Sequence, residues 1–304
     1  MSPIVRTRLL TVEELNSLQL PLKIEGDIVL IEKGLRGTKL KHPVTVSLSK
    51  VLAVKERGLV DYVFRSLLIE RPALIPYVLD NQTLLRMMRH FLRGYSKSAH
   101  SALLYTVGTR KYADWLGYSP DSIIQDTKPV GAIPDPLKVD NHCGFLNDYL
   151  AELQDQGLKF GAVNNYIKAV KTFYRVNGVK VELAERLKRK VSYKDRAPTP
   201  EELSKVLDFA DLREKVIVSG LALGAFREDT FSKLQYRHVR KDLENNIIPI
   251  HVHVEAELTK GMYGDYDTFL GAEAAQYLKL YMEERKLGNI MDKTGRPPET
   301  LTRP

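Results

Sequence analysis

Two basic side chains in the second half of the sequence, Arg227 and Lys260, are of types that can act on a phosphate. Arg227 follows Gly224, where a helix is expected to end, and Lys260 lies in the turn between two expected strands. A guanidinium can hold a phosphate through two parallel hydrogen bonds, and an ammonium can protonate a leaving oxygen. Each residue taken alone is better explained as an ordinary surface side chain, so their assignment depends on the elements around them.

A second set of chemically capable residues, His251, His253 and Glu255, would share one face of a strand. Such a face could offer ligands to a metal. Strand alternation also produces same-face sets by chance and no fourth ligand is evident, so we expect no metal and no cofactor. Cys143 is the single cysteine, stands beside His142 without an activating pair, and is expected to be inert. Tyr263 and Tyr266 are expected to pack the hairpin.

The excess positive charge is concentrated between residues 159 and 196, where eleven Lys or Arg stand against three acids. The whole chain carries a net charge of +8 and a sequence pI of about 9.3. Aromatic residues interleave with these cations, at Tyr166, Phe173, Tyr174 and Tyr193. The pattern favours a nucleic acid as partner over a merely solvated helix face, although charge alone does not separate DNA from RNA or an anionic membrane. The expected contacts are Lys159, Lys168, Lys171, Arg175, Lys188, Arg189, Lys190, Lys194 and Arg196.

The composition is that of a globular protein: 304 residues, of which 43% are hydrophobic and 28% charged. One cysteine excludes an intramolecular disulfide and any cysteine-rich metal site. No apolar run approaches the ~20 residues that span a bilayer, and the N-terminus has no signal-peptide core. We therefore expect no membrane association and a cytoplasmic, nucleoid-associated location. Phosphate loops, dinucleotide fingerprints, nucleophile elbows and HExxH are all absent.

Hydrophobic periodicity predicts helices over most of the chain, with strands in two places. One short strand is expected within 24–34, then helices from 59, at 83–92, at 98–116 and from Ser119. Residues 127–140 contain three prolines and are expected to be a loop. Helices at 147–157 and 160–176 follow, joined by a turn at Gly157. In the second half we expect helices at 200–210, 212–223 and 272–286, and paired strands at 251–258 and 265–270.

Two stretches mark the domain organisation. Residues 187–200 are polar, charged and end in two prolines, as an exposed linker would, and Thr199 to Glu202 form a capping box that starts the next helix. We expect a poorly assigned, partly helical N-terminal region at 1–94, a helical DNA-binding domain at 95–190 and a mixed domain at 191–304.

The order of these pieces resembles the tyrosine recombinases, the phage-integrase family, and is closest in style to archaeal members. GLALGAFREDTFSKLQYRHV (220–239) resembles the family's first arginine box, and ELTKGMYGDYDTF (257–269) its hairpin with the lysine. TPEELSKVLDFADLREKVIVSGLAL (199–223) resembles the first two helices of the catalytic domain. Residues 109–124 and 142–179 resemble the two halves of the core-binding domain. Together these pieces cover about residues 95–290.

The resemblance implies a mainly α fold with a small β-hairpin or sheet, an α+β protein of two domains. A helical SAM-like core-binding domain would precede a truncated catalytic domain. The partner would be double-stranded DNA, shared with further recombinase protomers. In this family a tyrosine hydroxyl attacks a phosphodiester without a metal, so Arg227 would stabilise the transition state and Lys260 would protonate the leaving 5′-oxygen.

The sequence departs from the family at two places. Thr230 stands where most members carry an acid, and no His-x-x-Arg box or tyrosine follows the last helix. The one His-x-x-Arg, starting at His90, lies far upstream and is a coincidence. We therefore expect a recombinase fragment without its nucleophile, unable to cleave DNA by itself. The alternatives are a non-catalytic DNA-binding accessory protein that keeps the fold, and a metal-dependent enzyme built on the His251 face.

Overall fold

The computed structural model describes residues 9–35, 37–94, 97–185, 187, 196–259, 261–262, 264–290 and 301. The chain divides into two compact units, unit 1 at 1–194 and unit 2 at 195–304. Both are mostly helical and each contains a small antiparallel sheet, so the fold is of the expected α+β class. No helix within the described ranges is long and apolar enough to cross a membrane.

Unit 1 begins with a three-stranded antiparallel sheet in the order β1-β2-β3, where the sequence indicated one short strand. Its elements are α1 (Val12–Asn16), β1 (Leu22–Glu25), β2 (Ile28–Lys33) and β3 (Lys39–Ser47). Gly26, with φ of 57°, makes the tight turn that pairs Glu25 with Ile28. The third strand escaped sequence reasoning because it is mostly polar and contains Pro43.

Eight helices complete the described part of unit 1 after α1 and the sheet. They are α2 (Leu48–Leu52), α3 (Arg57–Leu68), α4 (Leu74–Leu79), α5 (Gln82–Arg93), α6 (Ala99–Leu116), α7 (Pro120–Thr127), α8 (Pro136–Asp155) and α9 (Phe160–Val176). One hydrophobic core runs through them, from Val29 of β2 to Phe173 of α9. The sheet and the helices are therefore held together by shared burial of apolar side chains.

Helix α8 starts eleven residues earlier than its expected start at 147, inside the segment predicted to be a loop at 127–140. Asp135 is its N-cap, with the carboxylate accepting a hydrogen bond from the Leu137 N–H at 3.0 Å, and Pro136 takes the first helical position. Proline is favoured there because its missing N–H would be unpaired in any case. One of the three prolines that suggested a loop, Pro136, therefore marks the start of a helix.

Two local contacts fix the helices around α9. A Cβ built on Gly108 of α6 would lie 2.7 Å from the Ala169 Cβ of α9, so the close approach of these two helices requires glycine at this position. Asp121 of α7 accepts hydrogen bonds from the N–H groups of Gln82 and Thr83 and so caps α5 from another helix. The first contact sets how closely α6 and α9 approach, and the second joins α7 to the start of α5.

Unit 2 contains α10 (Pro200–Phe209), α11 (Leu212–Gly224), α12 (Glu228–Phe231), α13 (Arg240–Glu244), β4 (Ile250–Val254), β5 (Tyr266–Leu270) and α14 (Ala272–Lys286). The capping box at Thr199 and Glu202 starts α10 as predicted. The paired strands are present, but β4 ends at Val254 rather than at 258, because a 3-10 turn occupies Ala256–Leu258.

The core of unit 2 contains buried side chains from the inner face of β4 and from α14, and α14 itself packs against α11. Ile250, Val252 and Val254 alternate inward along the strand, and Leu278 and Tyr281 are buried on the helix. The outer face of β4 is left to His251 and His253. Leu301 is also buried here and its N–H donates to the Leu234 carbonyl at 2.7 Å.

Candidate functional site

Arg227 is placed by a close-packed corner between α11 and α12. A Cβ on Gly224 would lie 2.5 Å from the Phe226 ring and 2.9 Å from Leu270, so only glycine allows this approach. The Gly224 carbonyl accepts a hydrogen bond from the Thr268 hydroxyl of β5 at 2.7 Å. Ala225 then turns the chain in the left-handed region, and Arg227 becomes the N-cap residue of α12. The backbone just before Arg227 is therefore fixed by the close packing at Gly224 and by the hydrogen bond from Thr268.

The Arg227 side chain is exposed, and it forms no hydrogen bond or ion pair with the part of the chain that the structure describes. Thr230, at the position of the family's acid, is buried in the core and Asp229 pairs with Lys233 at 2.6 Å. Burial raises the pKa of the neighbouring Tyr266, and the Arg227 charge opposes that rise. The guanidinium is thus available to an external anion.

Lys260 lies outside the described residues, as does Tyr263. The convergence of Lys260 with Arg227 therefore stays a prediction. Lys188, Arg189, Lys190 and Lys194 also lie outside, which leaves Lys159, Lys168, Lys171, Arg175 and Arg196 as the expected DNA contacts that can be placed.

Helix α9 presents one continuous solvent face. Its members recur at helical spacing and none of them is fully buried: Gly161, Asn164, Asn165, Lys168, Lys171, Thr172 and Arg175. We call this set the α9 face. No acidic residue occurs anywhere in the helix, so the face displays only amide, hydroxyl and cationic groups.

The cations of the α9 face have no ion-pair partner among the described carboxylates. The Lys171 charge helps to lower the pKa of the Glu182 carboxyl, but Glu182 forms its ion pair with Lys180, at 2.8 Å. Other helices pair their cations internally, as in Arg65 with Asp61 and Arg240 with Glu244. Like charges three or four residues apart on a helix repel by about 0.2–0.5 kcal/mol per pair. No acid within α9 offsets this repulsion.

The aromatic residues near these cations do not share the face. Phe173 and Tyr174 are buried in the core of unit 1, and the half-buried Tyr166 lies beneath the Lys111 ammonium at 4.7 Å. The interleaved aromatics that suggested nucleic-acid stacking are therefore core residues. Tyr193 lies outside the described residues.

Arg196 differs from the α9 cations because it has a carboxylate partner. Its guanidinium forms two hydrogen bonds to Glu202, at 2.6 and 2.5 Å, across the start of α10. This contact lowers the pKa of Glu202 to about 2. Arg196 is therefore engaged in holding the first turn of unit 2.

The outer face of β4 does not gather metal ligands. His251 and His253 both bond to the Asp267 carboxylate of β5, at 2.8 and 3.0 Å, and this carboxylate raises the pKa of His253. Glu255 turns to Arg237, which binds it through two hydrogen bonds of 2.6 Å. No group of three or more His, Cys, Asp or Glu in the described ranges could hold a metal ion.

A buried polar chain in unit 1 was not foreseen from the sequence. His142 is buried, with Nδ1 2.6 Å from the Tyr174 hydroxyl and Nε2 3.0 Å from Asp126, and the Tyr112 hydroxyl lies 3.2 Å from that of Tyr174. Asp126, Lys138 and His142 line a surface cavity of about 310 Å³. No sequence signal links these residues, because they come from four different helices.

No protein-family model matches the chain, and no curated protein matches it. Among solved structures, the chains that match include the crystal structure of XerA recombinase, with a TM-score of 0.28 and 19% sequence identity. That match covers 72% of this chain and 68% of the other.

Proposed function

We propose that this chain binds double-stranded DNA through the α9 face and is a protein of the tyrosine recombinase type. The observation that carries the proposal is the α9 face, where an acid-free helix displays cations without partners. Phosphates would supply the missing counter-charges and release condensed ions as they bind. The sequence resemblance supplies the recombinase type.

The chemistry of the α9 face favours DNA over an anionic membrane. A helix that lies on a membrane must bury an apolar face in it, whereas the apolar side of α9 is buried in the core of unit 1. It also favours DNA over duplex RNA, because the major groove of B-DNA admits an α-helix and that of RNA is too narrow.

Arg227 and Lys260 are proposed as the residues that act on the scissile phosphate. In the family's reaction the tyrosine oxygen bonds to phosphorus, the bond from phosphorus to the 5′-oxygen breaks, and that oxygen takes a proton. Arg227 would hold the phosphate oxygens and Lys260 would give the proton. The exposed, unpaired guanidinium and its fixed backbone support the first role.

The binding proposal is tested by the salt dependence of duplex affinity. Replacing Lys168, Lys171 and Arg175 by alanine should weaken binding and lower the slope of log K against log salt by about three units. The matched control replaces Lys50, Lys233 and Arg240, each of which is paired with a carboxylate. Fluorescence anisotropy of a labelled duplex at several salt concentrations gives the slope. Equal slopes for the two triple variants would refute the proposal.

Variants of Arg227 test whether the chain holds a phosphate at the proposed catalytic position as well as through the α9 face. If Arg227 contacts a phosphate, Arg227→Ala should lower the same slope by about one unit, and Arg227→Lys should restore the slope without the full affinity. A purely accessory binder that uses only the α9 face would show no change in either variant.

A further inference from the structure

We infer that Asn164 and Asn165 read base edges and give the DNA target of this chain a preference for adenine; the inference rests on the proposed function. Both asparagines belong to the α9 face, and neither side chain has a hydrogen-bond partner among the described residues. Their amide groups are therefore free for an external ligand.

Two other asparagines of unit 1, Asn177 and Asn147, are bonded internally. The Asn177 side chain donates to the carbonyls of Phe173 and Thr83, at 2.8 and 3.3 Å, and that of Asn147 donates to the Cys143 carbonyl at 2.7 Å. Asparagine is a poor helix former, and within a helix its side chain either bonds to the backbone in this way or points to solvent. Asn164 and Asn165, in the first half of α9, make no such hydrogen bond, and so their side chains do not help to hold the helix.

The first two turns of α9 carry small and polar residues of the α9 face. Gly161, Asn164, Asn165 and Lys168 fall on one side of these turns, and a Cβ on Gly161 would meet nothing within 4 Å. The helix spans roughly 25 Å, about twice the width of the major groove. Its first half can therefore reach base edges while Lys171 and Arg175 in the second half meet phosphates.

The two kinds of side chain select different bases. An asparagine amide accepts a hydrogen bond from N6 of adenine and donates one to N7, a pattern that guanine cannot match because it presents two acceptors. Lys168 has donors only and suits those guanine acceptors. The amides and the ammonium lie within one turn, so we expect adenine and guanine at neighbouring base pairs of the preferred site.

The experiment selects bound duplexes from a randomised library with the full chain, and compares the enriched sequences. The double variant Asn164→Ala/Asn165→Ala should lose about tenfold or more of the preference for the adenine site over unselected duplex, with both affinities measured on the same protein. The control is Asn141→Ala, which removes an exposed asparagine from α8. Far-UV circular dichroism checks that each variant is folded.

The possible outcomes distinguish base reading by Asn164 and Asn165 from the binding of duplex DNA itself. If the wild-type chain binds duplex but enriches no adenine, or if the double variant enriches the same sequence as the wild type, the base-reading assignment is wrong while the binding function stands. If the wild-type chain binds no duplex at low salt, the proposed function fails and the assignment fails with it.

Discussion

Two buried tyrosines of unit 1, Tyr174 and Tyr149, differ in what their hydroxyl groups meet. The Tyr174 hydroxyl lies between His142 and Tyr112, and with Tyr174 donating to Nδ1 the imidazole proton sits on Nε2 and points at Asp126. The Tyr149 hydroxyl is buried without a partner among the described residues. Burial raises the pKa of both tyrosines, so both stay neutral at physiological pH.

These environments predict opposite results for the same chemical change. Tyr174→Phe leaves two buried polar groups unpaired and should lower the free energy of unfolding by about 1–3 kcal/mol. Tyr149→Phe removes a buried hydroxyl that has no partner, and should leave stability unchanged or raise it. Urea unfolding followed by circular dichroism measures both. A larger loss for Tyr149→Phe would contradict the hydrogen-bond assignment.

The hydrogen-bonded residues around His142 could not be predicted from the sequence, whereas Arg227 could. Arg227 could be singled out because its neighbours Gly224 and Phe231 form a local pattern. His142 could not, because its partners come 16 residues before it and 32 after it. Three-dimensional contacts of this kind leave no spacing signal.

At the scale of elements, the crossing of α6 and α9 depends on Gly108. Alanine in a helix is ordinarily about 1 kcal/mol more favourable than glycine. Here the added methyl would lie 2.7 Å from the Ala169 Cβ, which is fixed to the backbone of α9. The helices would have to move apart, so the packing loss should outweigh the gain in helix propensity.

We therefore expect Gly108→Ala to lower the free energy of unfolding by roughly 1–3 kcal/mol. The control is Gly144→Ala in the middle of α8, where a Cβ meets nothing within 4 Å and stability should rise by up to about 1 kcal/mol. Thermal unfolding of the two variants beside the wild type gives the comparison. A stabilising Gly108→Ala would show that α6 and α9 are not so closely packed.

A second element-scale contact ties the 3-10 turn Tyr236–His238 to the end of β4. The two hydrogen bonds from Arg237 lower the pKa of Glu255 to about 2, from an ordinary value of 4.5, with a smaller effect from His238. A depressed carboxylate pKa gives stability that is present above the unfolded pKa and is lost as the pH falls through the folded one.

Glu255→Gln should therefore lower the urea midpoint near pH 6, and the difference from the wild type should shrink as the pH falls from about 4.5 towards 2. Glu257→Gln, at an exposed position two residues further on, serves as the control and should track the wild type. A constant difference at all pH values would mean that the ion pair does not set the acid sensitivity.

Strong local signals let several elements be predicted from the sequence. Helices α9 and α14 have the predicted ends because an amphipathic run is bounded by clear breaks at each end. The start of α8 and the strand β3 could not be predicted in this way. Pro136 and Pro43 carry the same local signal as a loop, and only the tertiary partners decide between the two outcomes.

At the scale of the whole molecule, the charge is unequally divided. Unit 1 contains 30 Lys or Arg against 19 Asp or Glu, a net charge of +11, whereas unit 2 contains 16 against 19, a net charge of −3. A field of this kind draws a polyanion to unit 1 first. Unit 2, which carries Arg227, is slightly acidic as a whole.

This division predicts which lysines become protected when duplex DNA binds. Acetylation with and without DNA, read by mass spectrometry of the full chain, should show protection at Lys168 and Lys171. Lys205 of unit 2 and Lys50, which pairs with Asp80, should react equally in both samples. Protection of Lys205 without protection of Lys168 and Lys171 would contradict binding through unit 1.

The side chains of the α9 face make no hydrogen bond or ion pair with the rest of the described chain. Changing one of them therefore costs the fold little, because the residues that hold α9 in place lie on its opposite side. Target preference and foldedness can then vary independently. A lineage of such proteins could drift from one DNA site to another by single substitutions, and a laboratory library confined to these seven positions could be screened for retargeting without first restoring stability.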